Sequence, residues 1–233
     1  MASSTRGKSP RVDIISIGTL SRNRLWNETD VVRTAHATTS LVRVGTRIIL
    51  VDPGLPAQAL AARLFERTGL RVAQVDTVFL TNFRPSHRAG LSLFAHAKRF
   101  IHEVERDATR QQLESLIDQA PEEDIDRKLL IEELNLLETL NPAPDQLADQ
   151  VDLFPLFGYT PGTCGLLVSS PTLATLITGD AVITAEHFLA GQVLPDAQDI
   201  KAAQESMAEV YEIADLIVPG HDNVFVNPRM QGT

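Results

Sequence analysis

Short apolar runs alternate with longer amphipathic stretches along most of this 233-residue chain, the pattern of a layered α/β domain. Residues 12–17 and 40–44 read as strands, and Gly45-Thr46 reads as a tight turn into a third strand at 47–51. Within the third, Ile48-Ile49-Leu50-Val51 is continuously apolar, as in a strand covered on both faces. Residues 56–68 predict a helix: Pro56 suits its first turn, Leu60, Leu64 and Phe65 share a face, and Gly69 ends it. Residues 75–80 form a strand whose end delivers a loop at 82–87. Residues 151–156, 166–169 and 174–178 predict three more strands. A helix at 200–214 and a short strand at 216–218 then lead into His221. The small polar residues 1–10 read as a loose tail, and the chain from Asn227 onward as disordered.

The stretch 103–140 carries a different pattern. Two helices fit it, with Pro121 in the first turn of the second and Asn141-Pro142-Ala143-Pro144 closing it. Projected at roughly 100° per residue, the second helix has two apolar clusters. Ile125, Leu129, Leu136 and Leu140 form one, and Leu130, Leu134 and Leu137 the other, with Asp126 and Glu133 between them. A helix packed only on its own domain usually needs a single stripe. The segment 122–140 is therefore either a deeply set core helix or a surface that also packs on a second subunit, and a homodimer through it is the expectation. The domain is taken as residues 11–226, with a helical insertion at about 103–142.

Composition narrows the function classes. The length suits one sizeable domain, and a hydrophobic content of 43% is ordinary for a packed core. A formal net charge of −9 argues against a nucleic-acid surface, because phosphate binding needs clustered Lys and Arg. A single cysteine, Cys164, excludes an internal disulfide and suits a reducing compartment. The first residues lack an apolar core of the secretory type, and no apolar run approaches the roughly 20 residues that span a bilayer. A cytoplasmic protein without membrane or nucleic-acid partners is expected.

The chemistry is concentrated in a few short motifs. Residues 80–90 read Leu-Thr-Asn-Phe-Arg-Pro-Ser-His-Arg-Ala-Gly. They resemble the Thr-His-x-His-x-Asp-His-x-x-Gly metal-binding loop of the metallo-β-lactamase superfamily, with Asn82, Arg84, Ser86 and His87 at its four ligand positions. Four other stretches resemble that family in the same order. They are Val51-Asp52-Pro53-Gly54 after an apolar strand, Gly158 to Gly165 with Thr163 at a histidine position, Thr178-Gly179-Asp180, and Val218-Pro219-Gly220-His221. The resemblance covers residues 40 to 222. It implies a four-layer αβ/βα sandwich with its site at one edge between two sheets.

The resemblance also implies a site for two divalent ions, usually zinc or iron. The first ion's ligands would stand at Asn82, Arg84 and Thr163, and the second's at Ser86, His87 and His221, with Asp180 bridging. All three non-bridging positions of the first site have lost their histidines. Zinc needs thiolate, imidazole or carboxylate within roughly 2.0–2.3 Å, and a guanidinium opposes a cation outright. The first site is thus expected not to hold an ion, nor the chain to use a hydroxide shared by two ions. His87, Asp180 and His221 remain a two-imidazole, one-carboxylate set, of a kind that binds single zinc or iron ions elsewhere. Alternatively the three satisfy one another without metal. The cofactor is thus none or a single divalent ion, zinc or iron.

Arg84 has its own alternatives. It either turns inward to pair with Asp180, replacing the lost cation, or swings out to solvent; the inward pairing is the expectation. Asp52 reads as a cap for the Pro53-Gly54 turn, Cys164 as a small core residue, and His36 as a pocket-mouth or surface residue. Three functions follow. The leading one is a binding or regulatory protein that takes a small anionic ligand in a pocket lined by Asn82, Arg84, Ser86, His87, Thr163, Asp180 and His221. The second is a hydrolase of an ester, thioester or lactone using one ion on His87, Asp180 and His221. The third is a structural subunit that presents residues 122–140 to a partner.

Overall fold

The computed structural model describes residues 9–122 and 124–231. Residues 1–8 of the expected tail, Glu123 and the last two residues lie outside the described residues. Along the first half run β1 (Arg11–Ser16), β2 (Thr39–Val44), β3 (Arg47–Val51), β4 (Thr77–Leu80), β5 (Lys98–Ile101) and β6 (Asn141–Pro142), which pair in that order as one six-stranded sheet. The second half supplies β7 (Gln146–Ala148), β8 (Val151–Pro155), β9 (Cys164–Ser170), β10 (Leu173–Gly179), β11 (Leu216–Pro219) and β12 (Phe225–Val226), a second sheet in the same sequential order. The helices are α1 (Ala57–Thr68), the single turn α2 (Pro85–Arg88), α3 (Glu103–Gln119), α4 (Ile125–Glu138), α5 (Ala185–Leu189) and α6 (Ile200–Ile213).

Three buried layers hold these elements together. Val42, Ile49, Val51 and Phe79 of the first sheet meet Cys164, Leu166, Ile177 and Val218 of the second, forming the seam between the sheets. Leu60 and Leu64 of α1, Leu113 of α3 and Leu137 of α4 cover the outer face of the first sheet around Leu50, Val78 and Leu80. Met207 and Val210 of α6 and Phe188 of α5 cover the second sheet around Leu176 and Ile217. Helix, sheet, sheet, helix is the four-layer αβ/βα sandwich. Each apolar strand is covered on two faces, which is why Ile48 to Val51 shows no alternation.

Strand register decides where chemistry collects. β3 and β4 run parallel with Val51 opposite Phe79, so the residues just past both ends, Asp52 and Thr81, come together. In the other sheet β10 and β11 are parallel with Gly179 opposite Pro219, which brings Asp180 next to the turn that carries His221. Both strand ends open at one edge of the sandwich. The backbone of Cys164 donates to the Thr81 carbonyl at 2.9 Å, and that of Thr38 to the Gly220 carbonyl at 2.7 Å, stitching the two sheets there.

Several sequence expectations need correction. Pro56 is the N-cap of α1 rather than part of its first turn, and Phe65 is 55% exposed instead of sharing the buried face of Leu60 and Leu64. α4 starts at Ile125, where the Asp124 side chain accepts from the Asp126 N–H; Pro121 lies in the preceding turn. A side-chain cap satisfies an orphan helix donor, which proline at that point cannot do. Residues 227–231 are ordered: Asn227 is buried and its amide donates to the carbonyls of Tyr211 and Ala214 at 2.8 and 2.7 Å. Those are the unpaired carbonyls at the end of α6. β7, β12 and α5 are too short to show a period in sequence.

The two apolar clusters of the second insertion helix have a simple resolution. Leu130, Leu134, Leu136, Leu137 and Leu140 all pack on the first sheet's core, while Ile125 and Leu129 stay 72% and 53% exposed. A homodimer through α4 therefore has only its N-terminal turn to bury. The double substitution Leu130→Glu and Leu134→Glu is expected to destabilise the chain itself rather than dissociate a dimer, since each sets a charge against the core; thermal denaturation will show a large loss of Tm. Ile125→Glu with Leu129→Glu is expected to leave the fold of the single chain intact, with a far-UV circular dichroism spectrum matching the parent's.

Candidate functional site

His87 is the centre of the site. It is fully buried, with Nε2 2.9 Å from Asp180 Oδ2 and Nδ1 3.1 Å from Asp52 Oδ2. Burial alone would lower its pKa, but the two carboxylates, Asp180 foremost, outweigh that and push it up to about 10. Asp180 is likewise held well below the usual carboxylate range against the effect of its burial, by His87 and His221. The positive charge that offsets Asp180 is therefore the imidazolium of His87.

Asp52 makes this possible through its backbone. It sits at φ 50°, the left-handed region that Asp tolerates better than most residues. From there its carboxylate accepts from the N–H and hydroxyl of Thr81 at 2.9 and 2.7 Å and faces His87. The turn itself closes through the Asp52 carbonyl and the Gly54 N–H, at 2.7 Å. The side chain does not cap the turn; it orients the imidazole. A carboxylate behind an imidazole fixes the ring and raises its basicity, the usual support of a metal-binding histidine. The apolar run before Asp52 gave no sign of this role.

Asp180 follows Gly179, whose φ of 53° brings its Cα against Thr81; a Cβ there would lie 2.3 Å from the Thr81 hydroxyl. His221 arrives on the next strand end with Nε2 3.2 Å from Asp180 Oδ1. Its Nδ1 lies 3.0 Å from the carbonyls of Thr19 and His36, so that nitrogen carries a proton and Nε2 is the one turned inward, toward Asp180. His36 thus contributes its carbonyl to the site, not its ring. Asp180 Oδ1 is buried and makes no hydrogen bond of proper geometry, although His221 is at ion-pair distance. One ligand atom from each of His87, Asp180 and His221 lies within 4.8 Å of the others. An orphaned carboxylate oxygen between two imidazoles, each tied from behind, is a donor set that fits one divalent cation. Such an ion would compete with the proton on His87 Nε2.

The other expected positions divide between the interior and the rim. Asn82 is buried and its amide donates to Asp180 Oδ2 at 3.1 Å, while its Oδ1 accepts from the Arg84 N–H at 2.9 Å. Thr163 is buried too, but its hydroxyl is 2.6 Å from that of Thr160 and also accepts the Thr160 N–H. Ser86 lines the cavity, and its carbonyl accepts the Ala37 N–H at 2.8 Å. The expected inward pairing of Arg84 with Asp180 is not made. Its guanidinium lies over the Tyr159 ring at 4.4 Å, with Asp196 at 4.0 Å and the side chain 38% exposed. The imidazole of His87 and the amide of Asn82 already occupy Asp180 Oδ2. Cys164 is buried in the sheet seam with its thiol pKa raised by burial, a core residue as expected.

Sequence reasoning missed the residues that hold this loop. Phe83 donates its N–H to Glu105 Oε1 at 3.0 Å, and its carbonyl accepts from Arg88 Nε at 2.8 Å. Glu105, on α3, also accepts from Gly162 N–H at 3.0 Å and Thr160 Oγ1 at 2.6 Å. Arg88 pairs with Glu133 on α4. A glutamate two residues into a helix reads as an ordinary dipole-favoured choice; nothing local marks it as a clamp between two loops.

Above the cluster is a cavity of about 300 Å³, with Arg22, Arg24, Arg84, Tyr159, Asp196 and His221 on its walls. Burial, with Asp180 nearby, raises the Tyr159 pKa, so the phenol stays protonated and able to donate. Three guanidinium groups against one exposed carboxylate make the rim cationic.

Residues 33–221 match the family model of the metallo-beta-lactamase superfamily. No curated protein matches the chain in sequence. Among solved structures, a Thermotoga maritima protein assigned to the metallo-beta-lactamases is 17% identical with a TM-score of 0.68, over 94% of this chain and 99% of that one. A Staphylococcus aureus protein described as a metal-dependent hydrolase is 12% identical with a TM-score of 0.68, over 94% and 91%. AidC, a dizinc quorum-quenching lactonase in complex with its N-hexanoyl-L-homoserine product, is 17% identical with a TM-score of 0.62, over 88% and 81%.

The Glu105 clamp has a direct test. In Glu105→Gln the new amide NH₂ group must face at least one of the three donors. A loss of about 1–3 kcal/mol in urea denaturation is expected; an unchanged midpoint would mean that the loops are held by other contacts.

Proposed function

The chain belongs to the metallo-beta-lactamase superfamily, and from that premise we propose that it has lost the two-ion centre and binds a small anionic ligand in the former catalytic pocket. The observation that carries this reading is Arg84. At a position where the family places a metal-binding histidine, a guanidinium is stacked on Tyr159 at the mouth of the cavity, with its nearest carboxylate only at 4.0 Å. Stacking pre-orients the planar fork and leaves its edge for a carboxylate or phosphate. Asn82 and Thr163 support the loss of the first ion, because one is engaged with Asp180 and Arg84 and the other with Thr160.

A second reading, a hydrolase of an ester, thioester or lactone working with one ion, is favoured by the Asp180 carboxylate, which has His87 Nε2 at Oδ2 and His221 Nε2 beside its orphaned Oδ1. Those three residues would hold zinc or iron. When bound, the ion would supply Lewis acidity and an acidified water. Asp52 and the Thr19 and His36 carbonyls would keep both imidazoles oriented, Tyr159 would donate a hydrogen bond, and Arg84 would hold an anionic part of the substrate. We also propose that the chain self-associates as a homodimer through the exposed start of α4, for which light scattering should report twice 25.5 kDa.

Elemental analysis of protein purified without chelator should find no more than one zinc or iron per chain; two ions in this pocket would refute the loss of the dinuclear centre. Calorimetric titration with inorganic phosphate and with acetate should show binding of at least one. Arg84→Ala should weaken it about 10- to 100-fold, the worth of roughly 1.5–3 kcal/mol for a charge-assisted hydrogen bond. Should neither anion bind the parent protein, the binding reading fails. One bound ion together with hydrolysis of a lactone or thioester would favour the second reading.

A further inference from the structure

The cavity's outer wall comes from the segment between β1 and β2. Arg22 and Arg24 both reach the cavity from it. The base of this segment is tied to the site, since the Thr19 and His36 carbonyls are the two that face His221 Nδ1. Its middle is self-supporting. Glu28 accepts the Asn23 N–H at 2.6 Å and pairs with Arg33, and Asn23 Oδ1 accepts the Leu25 N–H at 3.0 Å to start the 3₁₀ turn Arg24–Trp26.

The tip is fastened to the second sheet's side by one residue. Glu186 Oε2, on α5, accepts from the indole of Trp26 at 2.7 Å and from the Asn23 amide at 3.4 Å. Arg24 lies between those two contacts in sequence. It lines the main cavity and the two cavities flanking it. Among the described residues Arg24 has no ion pair, whereas Arg33 pairs with Glu28 and Arg84 has Asp196. A guanidinium beside three cavities with no carboxylate of its own, in a chain of net charge −9, is placed for a charge that the described residues do not supply.

We propose that Arg24 is a specificity-determining residue, the second cationic contact for the pocket's anion, and that Glu186 positions it by latching Trp26 and Asn23. The inference rests on the reading of this pocket as an anion site and adds to it the residue that completes the site and the contact that holds that residue in place. Arg84 grips the ligand from the side of the metal-loop wall, and Arg24 from the opposite, latched wall.

Trp26 is the chain's single tryptophan, so the latch has its own reporter. In Glu186→Ala the time-resolved fluorescence anisotropy of Trp26 should decay faster than in the parent, and Glu186→Gln, which keeps an acceptor oxygen, should restore the slow decay. Titrations with inorganic phosphate and with acetate then follow binding. Arg24→Ala should weaken whichever anion binds about tenfold, Glu186→Ala should weaken it to a similar extent, and the double variant should be no weaker than Arg24→Ala alone. Equal binding by Arg24→Ala and the parent, with loss in Arg84→Ala, would overturn this inference and leave the anion reading standing. Absence of phosphate and acetate binding by the parent would overturn both. An unchanged Trp26 decay in Glu186→Ala, or additive losses in the double variant, would remove the positioning role of Glu186.

Discussion

Two buried carboxylates flanking one buried imidazole are the constraint on which the rest of this site depends. Asp52 and Asp180 are both within hydrogen-bond reach of His87, and all three are essentially inaccessible to water. An unpaired charge in such a place costs several kcal/mol, so the three must stay in contact for the sandwich edge to close. The backbone enforces that contact. Asp52 adopts a left-handed conformation, and Gly179 does so directly against Thr81. Gly220 passes so close to Asp180 that a Cβ would lie 2.5 Å from its Oδ1. The geometry of the cluster is thus built into strand ends and turns, and neighbouring donors and acceptors of the protein orient the side chains.

A second constraint comes from the insertion helices, which are part of the site's support. Both polar groups of the Phe83 peptide are held, the N–H by Glu105 of α3 and the carbonyl by Arg88, itself paired with Glu133 of α4. Fixing that one residue directs its neighbours: Asn82 points into the cluster and Arg84 points away, toward Tyr159. Helices that look like a peripheral addition in sequence thereby set the orientation of the loop most altered in chemistry. Their apolar faces serve the same end, since Leu130, Leu134 and Leu137 seat α4 on the first sheet's core.

The architecture was legible because it depends on signals that extend over many residues. Apolar runs marked most of the central strands to within a residue or two, though not the half-polar β5, and five ordered motifs marked the turns at their ends. The placement of His87, Asp180 and His221 together was likewise legible, since each belongs to a motif that follows a strand opening at the same edge of the sandwich. The failures share a cause, which is that they turn on single contacts between segments far apart in sequence. Arg84 was expected on Asp180 because a missing cation seemed to need replacement; the competition from His87, drawn up by Asp52, is invisible without the left-handed turn at Asp52. Glu105 and Glu186 look like ordinary helix glutamates, and their partners Phe83, Gly162 and Trp26 lie from 22 to 160 residues away. Asn227 looked like part of a polar terminus until the end of α6 required its amide.

The binding and one-ion readings meet in the sign of the ligand. With a proton on His87 the cluster of two carboxylates and one imidazolium keeps a single negative charge. With a divalent ion in place of that proton the same cluster is neutral. In either state the walls above it present Arg22, Arg24 and Arg84 against Asp196 alone. On either proposed reading the rim therefore outweighs the cluster, and an anion is the expected ligand. What the ion would change is the chemistry done on that anion, because Asp180 Oδ1 and the inward nitrogen of His221 face the cavity floor with no other partner. On the proposed reading, Asn82, Arg84 and Thr163 in place of the first ion's ligands leave the floor without that ion's fixed positive charge, and an anionic ligand then depends on the guanidinium groups at the mouth.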